Sequence, residues 1–304
     1  MITFYSPHYN IDLGLLNRLH PFDGRKFSKV HAALQRLGVE QRDVSAPVPS
    51  AQLDHFAGEI LRRLYASKRY ILRALEVPYI PLLPFSFIDR RVLLPMRWAV
   101  QGTIAAAEAA LHGHDAWNLS GGYHHASRNA AEGFCIYNDV GIAVDDLRRR
   151  KLLGESDRLM IIDVDAHHGN GNGHVFFKDP GVEILDIYNA DIYPNSPSTK
   201  QRVDVGIPLR SGTTGADYLA RLRDGLAQLR GGARIAFVVA GTDVLASDPL
   251  GALRLTVDQC AERDRLVLRR LKELGVPAVF LGGGYGPDSA RAMISGIEAC
   301  AAVR

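Results

Sequence analysis

From about residue 116 onward the chain alternates short, unbroken apolar runs with longer amphipathic stretches, and this rhythm constrains the fold more than any other feature. The runs are Ala116–Leu119, Leu159–Asp165, Glu183–Tyr188, Ile235–Ala240 and Ala278–Leu281. Most are rich in Val, Ile, Leu and Phe and lack in–out alternation, the pattern of parallel strands whose two faces are both covered by helices. Helix-like segments lie between them at 95–112, 138–152, 215–230, 256–274 and 287–302. Gly275-Val276-Pro277 reads as a helix stop followed by the next strand. Strand–helix alternation of this kind predicts an α/β layered fold. No internal repeat, low-complexity tract or linker divides it, so residues 1–304 read as a single domain. The stretch Val77–Pro95 holds four prolines and many apolar residues; it reads as an ordered surface loop able to wall a pocket.

Composition serves mainly to exclude. With 47% hydrophobic and 23% charged residues the chain is neither disordered nor a small disulfide scaffold. Its 36 basic and 33 acidic residues leave a net charge of +3, and clusters such as Arg148-Arg149-Arg150 fall in helical patterns. They read as solvated helix faces, so no nucleic-acid partner is expected. Cys135, Cys260 and Cys300 form no CxxC pair, which fits a reducing compartment. The opening MITFYSPHYN lacks the basic and apolar regions of a signal peptide, and no apolar run approaches the roughly 18 residues of a membrane span. A cytoplasmic location is the corresponding expectation.

Polar clusters follow the runs with unusual regularity. Ser120-Gly121-Gly122-Tyr123-His124-His125, Asp163 through Gly171, Gly241-Thr242-Asp243 and Gly282-Gly283-Gly284-Tyr285 each follow a predicted strand. Ligands of open α/β sheets bind beyond the carboxyl ends of the strands, so the four clusters point to one shared site. Asp163, Asp165 and His167 are spaced i, i+2, i+4, and extended backbone would project all three to one side. Carboxylates and an imidazole converging in this way suit a divalent metal of the zinc type. Asp243 supplies a third ligand for an Asp165–His167–Asp243 set, leaving a coordination position open, as catalytic sites do. His124 and His125 are placed to act as base and acid, since imidazole titrates near neutral pH. Period-two alternation turns His168 away from the ligand face. The glycines before Tyr285 bring its hydroxyl near the metal as a donor to an oxyanion. A nucleotide-loop reading of the same glycines lacks an acidic residue about 20 positions on.

Taken together, GGYHHA, GFCIYND, DVDAHHGNG, AGTDVLASDP and LGGGYG resemble the zinc-dependent histone deacetylase family, of the arginase–deacetylase fold. YSPHYNIDLGLLNRLHPFDGRKFSKV near the start and DIYNADIYP at 186–194 look like class IV of that family. The resemblance implies one domain, a mostly parallel sheet of roughly eight strands flanked by helices, and hydrolysis of an acylated lysine amide. It places zinc on Asp165, His167 and Asp243, and it makes His124 and His125 the tandem histidines. Asp163 would orient His124 and Asn170 would orient His125. Asn170 stands where class I members carry Asp, and the missing charge should disfavour the His125 imidazolium. Tyr285 matches the transition-state tyrosine. Gly133, Phe134, Tyr193, Gly283 and Gly284 would line the substrate tunnel. Asp163, Asp165, His167 and Asp186 would enclose an inner monovalent cation, expected to be K+. Class IV likeness leans toward fatty-acyl chains.

Three competing readings follow from the same residues. A two-metal arginase-type centre would need carboxylates where Gly169 and Leu245 stand. An acetylpolyamine amidohydrolase would share the catalytic groups and take an acylated small amine in place of acyl-lysine. A non-catalytic acyl-lysine module should lack a ligand or the tyrosine, and neither is missing.

Overall fold

The computed structural model describes residues 1–12 and 23–303. Eight strands form one sheet: β1 (Ile2–Tyr5), β2 (Gln41–Asp43), β3 (Ala116–Asn118), β4 (Leu159–Asp163), β5 (Val182–Asn189), β6 (Val205–Leu209), β7 (Ile235–Val239) and β8 (Ala278–Leu281). Their spatial order is β2-β1-β3-β8-β7-β4-β5-β6, and every neighbouring pair is parallel. β4, β5, β7 and β8 are buried along their whole length, which explains their unbroken apolar runs. Trp117 of β3 stacks on Phe280 of β8 with ring centroids 4.7 Å apart. No helix among the described residues is long and apolar enough to cross a membrane.

The helices Leu94–Leu111, Asp139–Arg149, Gly215–Ala227, Val257–Glu273 and Ser289–Ala301 stand where the amphipathic segments place them, within a few residues at each end. Local chemistry sets their starts. Asn138 and Thr214 each accept from a backbone N–H three residues on, and Thr256 and Gln259 form a reciprocal capping box. Arg148, Arg149 and Arg150 lie at the end of Asp139–Arg149 and pair with Asp179, Asp145, Asp146 and Glu108.

Two expectations need correction. Val77–Pro95 is not a loop throughout: Phe85–Ile88 is helical, Asp89–Leu93 forms a wide helical turn, and Pro95 lies in the first turn of Leu94–Leu111. The wide turn directly ahead of Pro95, in which Leu94 N–H reaches back to Asp89 O, is where the regular helical ladder is already interrupted and a proline can be accommodated. Secondly, β4 ends at Asp163 and does not reach Asp165. Strand alternation therefore does not carry Asp165 and His167, which sit in the loop that follows. The edge strands β2 and β6, and β1 beside β2, lie outside the five apolar runs; β2 is Gln-Arg-Asp, a polar edge without a hydrophobic signature.

Because β3, β8, β7, β4 and β5 lie side by side, the segments that follow them become neighbours at one edge of the sheet. The strand order thus collects residues more than 160 positions apart in sequence, from Ser120 to Tyr285, into one place.

Candidate active site

Asp165, His167 and Asp243 each offer a ligand atom, and these atoms lie within 4.8 Å of one another. His167 Nδ1 is 2.7 Å from Asp243 Oδ2 and 3.1 Å from Asp165 Oδ1. Two loops hold the set. Arg263 is wholly buried, and its Nη1 donates to the carbonyls of Val164 and Gly241, the residues just ahead of Asp165 and Thr242. Tyr218 Oη also donates to Val164 O, at 3.0 Å. Burial and then the Asp165 charge push the Asp243 carboxyl above the usual carboxylate range. Burial opposes the His167 imidazolium, but Asp165 and Asp243 outweigh it and hold that group at about 11. Two buried carboxylates around one imidazole are short of positive charge, and a divalent cation with mixed N and O ligands fits that deficit.

Asp163 does not join this cluster, contrary to the spacing argument. Its Oδ2 lies 2.7 Å from Nδ1 of His124, the partner that the family resemblance assigns. Burial works against the His124 cation, yet Asp163 and Asp165 raise the group to about 9. His125 Nδ1 lies 2.7 Å from Asn170 Oδ1. Burial first, then the neighbouring His124 and His167, push His125 well below its usual value. The hydrogen bond to Asn170 works the other way and favours the imidazolium, so the lowering comes from burial and the two neighbouring rings. The two rings are 4.1 Å apart between centroids.

The loop carrying these histidines is anchored by Asp139, a buried carboxylate outside the expected site. It accepts from the N–H groups of Gly122 and Tyr123, at 3.0 and 2.8 Å, and from Thr103 Oγ1 at 2.7 Å. Asp248 does the same for the tyrosine loop, accepting from the N–H groups of Tyr285 and Gly286 at 2.9 and 2.7 Å. Lys26, buried on the helix Lys26–Arg36, donates to Gly284 O at 2.7 Å. Spacing gives no signal for these three, since each works through backbone contacts formed only on folding. Burial and nearby carboxylates push the Tyr285 hydroxyl well above 10, so it is a proton donor at neutral pH.

Tyr285, His124, His125, Asp165 and His167 open on one cavity of about 320 Å³. Gly133, Phe134, Tyr193, Gly283 and Gly284 all line it, as the tunnel assignment expects. Tyr193 packs edge-on to His125 at 5.2 Å, and Phe134 lies 5.3 Å from the Tyr285 ring. Gly133 has φ +55, and a Cβ there would stand 2.5 Å from His125 Cδ2, so only glycine lets the chain pass this ring. Val77, Val92 and Met96 give the Pro-rich segment and the helix after it a share of the wall.

His168 points away from the cavity: Nδ1 meets Asp186 Oδ2 at 2.6 Å and Nε2 meets Thr199 Oγ1 at 2.8 Å. Asp186 sits directly across from Asp163 in the β4–β5 register. Its other oxygen, Oδ1, is buried without a hydrogen-bond partner. Part of the class IV-like opening stretch, residues 13–22, lies outside the described residues.

A parallel eight-stranded sheet with these groups at its carboxyl edge has the arginase–deacetylase fold. An acetylpolyamine aminohydrolase structure from Burkholderia pseudomallei superposes with a TM-score of 0.75 over 100% of this chain and 99% of that one, at 21% identity. The chain belongs to the histone deacetylase family, whose histone deacetylase domain matches residues 20–299. Histone deacetylase 2 of Arabidopsis thaliana is 34% identical over 300 residues, covering 97% of this chain and 77% of that protein. The acetoin utilization protein AcuC of Bacillus subtilis (strain 168) is 33% identical over 200 residues, 61% of this chain and 50% of that one. Family membership makes the protein a deacetylase-type hydrolase of a zinc-dependent family.

Proposed function

We propose that the protein removes acyl groups from the side-chain amide of acylated lysine. One observation carries this reading: the tandem histidines, Tyr285, and Asp165 and His167 of the ligand cluster line a single cavity walled by Phe134 and Tyr193, with Asp243 buried against the cluster. An acyl-lysine presents an uncharged hydrocarbon stem that suits aromatic walls, with its amide at the depth of the polar groups. The lining adds Phe27, Leu75, Val92 and Met96, an apolar surface suited to a long chain. With the class IV-like stretches, this favours fatty-acyl over acetyl groups.

Asp165, His167 and Asp243 would hold zinc, which when bound supplies Lewis-acid polarisation of the amide and of water. The chain's own groups divide the proton work. His125 is neutral, and with its Nδ1–H given to Asn170 its Nε2 is free to take a proton from attacking water. Tyr285 donates its hydroxyl to the oxyanion as charge develops there. His124, whose carboxylate partner favours the imidazolium, is assigned the return of a proton to the departing amine. Asp163, Asp165, His167 and Asp186 would enclose potassium, and the unpartnered, buried Asp186 Oδ1 is the atom such a cation would satisfy.

A second reading, hydrolysis of an acylated small amine, is favoured by Glu76, whose side chain reaches the cavity lining where it would attract an ammonium group. The fold neighbour named for acetylpolyamine gives it further support. The test is a turnover panel on zinc-loaded protein with acetyl-, octanoyl- and myristoyl-lysine peptides and N-acetylputrescine. The highest kcat/KM is expected on a long acyl-lysine. Preference for acetylputrescine would replace the substrate assignment, and no turnover on any of them would overturn the hydrolase reading. Asp165→Ala should also lower the zinc-to-protein ratio measured by elemental analysis.

A further inference from the structure

We propose that Glu132 is a positioning residue that fixes the tautomer of His125; this rests on the role given to His125 above. Asn170 is the only group bonded to His125 Nδ1 among the hydrogen bonds of the described residues, and a carboxamide can face an imidazole either way round. With Oδ1 toward the ring, Nδ1 carries the hydrogen and Nε2 has a lone pair for an incoming proton. With the NH2 toward the ring, Nδ1 must accept, Nε2 carries the hydrogen, and His125 cannot act as a base. An aspartate at this position would settle the matter by itself, because a carboxylate only accepts. An asparagine needs something to choose its orientation.

Glu132 makes that choice. Its Oε1 lies 2.6 Å from Asn170 Nδ2, and a carboxylate there captures the NH2 end, leaving Oδ1 for His125. The negative charge missing at position 170 is thereby supplied one side chain further back. Glu132 is itself held by a tight turn: its N–H donates to Cys135 O at 3.1 Å, and Cys135 N–H donates to its carbonyl at 2.9 Å. That turn carries Gly133 under the His125 ring and Phe134 into the tunnel wall. The Glu132 charge also acts on the Tyr193 phenol and disfavours its ionisation, so the same carboxylate borders a tunnel wall and the group behind the base.

The test compares zinc-loaded wild type with Glu132→Ala, Asn170→Asp and the double variant, on the acyl-lysine peptide the wild type turns over best. Glu132→Ala should lower kcat about 10–100-fold, the usual effect of losing a partner behind a functional group, with KM little changed. The Glu132→Ala/Asn170→Asp double variant should recover most of that loss, because the substituted carboxylate accepts without help. Asn170→Asp alone, with two carboxylates abutting, should do worse than the double variant. Nitrogen-15 NMR of histidine-labelled protein gives a readout independent of turnover: the His125 proton should move from Nδ1 toward Nε2 in Glu132→Ala and return in the double variant. If Glu132→Ala fails to fold, Glu132→Gln should still lower kcat, since a second carboxamide can meet Asn170 either way round. Wild-type kcat in the single variants, or a double variant no better than Glu132→Ala, would overturn the assignment while leaving the hydrolase reading intact. Absence of turnover by the wild type would instead count against the hydrolase reading, and the NMR comparison would still decide the role of Glu132.

Discussion

Tyr285 and the two histidines show how side chains of ordinary reactivity are given distinct tasks by their surroundings. The His124 ring is backed by the Asp163 carboxylate, which helps it hold a proton, whereas His125 faces a neutral carboxamide and its burial and two neighbouring rings keep it ready to accept one. The Tyr285 hydroxyl stays protonated because burial and the nearby carboxylates disfavour the phenolate. Tyr285→Phe removes only that donor, so kcat should fall by about 10²–10³ while circular dichroism and the melting temperature stay unchanged. A variant with wild-type kcat would remove Tyr285 from the mechanism. At this scale the sequence is highly legible: Asp165, His167 and Asp243 were readable as a ligand set from residue type and position after strands. Asp163 was not, because the spacing places it with the other two and only the end of β4 separates them.

Elements follow local patterns until tertiary packing intervenes. The helix Leu94–Leu111 contains Gly102, a residue that helix propensity alone would replace with Ala at a gain of about 1 kcal/mol. The fold forbids this exchange. A Cβ at Gly102 would stand 1.8 Å from Tyr9 Oη and 2.6 Å from Asn118 Oδ1. Those two atoms are bonded to each other at 2.8 Å, with Tyr9 almost wholly buried, so neither has room to move. Gly102→Ala should therefore destabilise the protein by about 1–3 kcal/mol in urea unfolding, as overpacking does. A raised midpoint would mean that the N-terminal segment gives way. The same contest explains the Pro-rich stretch: its prolines suggest irregular chain, yet one of them is accommodated in the first turn of a helix whose apolar face is buried.

At the scale of the whole molecule, a charge withdrawn from water remains to be balanced. Lys26 is nearly inaccessible, and burial lowers its ammonium to about 8, against the pull of Asp248 and Asp23. The unfolded chain holds more protons on this group between about pH 8 and 10.5, so the native state gains stability as pH rises through that window. Below it, the full cost of the buried charge is present. The difference in unfolding free energy between wild type and Lys26→Met should accordingly shift in favour of the wild type between about pH 8 and 10. A constant difference would show that the ammonium is solvated in the folded protein.

The sequence by itself determined the layered α/β class, the central strands, the major helices and the residues that gather at the strand ends. It did so because burial on both faces imposes continuous apolar runs, and because ligand chemistry demands particular side chains at particular places. Only the tertiary structure decided what lies behind those residues. Asp139, Asp248, Lys26, Arg263 and Glu132 act on backbone groups or on side chains distant in sequence, and neither leaves a periodic trace. The edge strands were silent for a related reason: β2 buries too little apolar surface to carry a pattern, and its place is set by backbone hydrogen bonds to β1. Which loops become neighbours was likewise a matter of strand order. Parallel pairing of β3, β8, β7, β4 and β5 brings together ends that the chain itself keeps far apart.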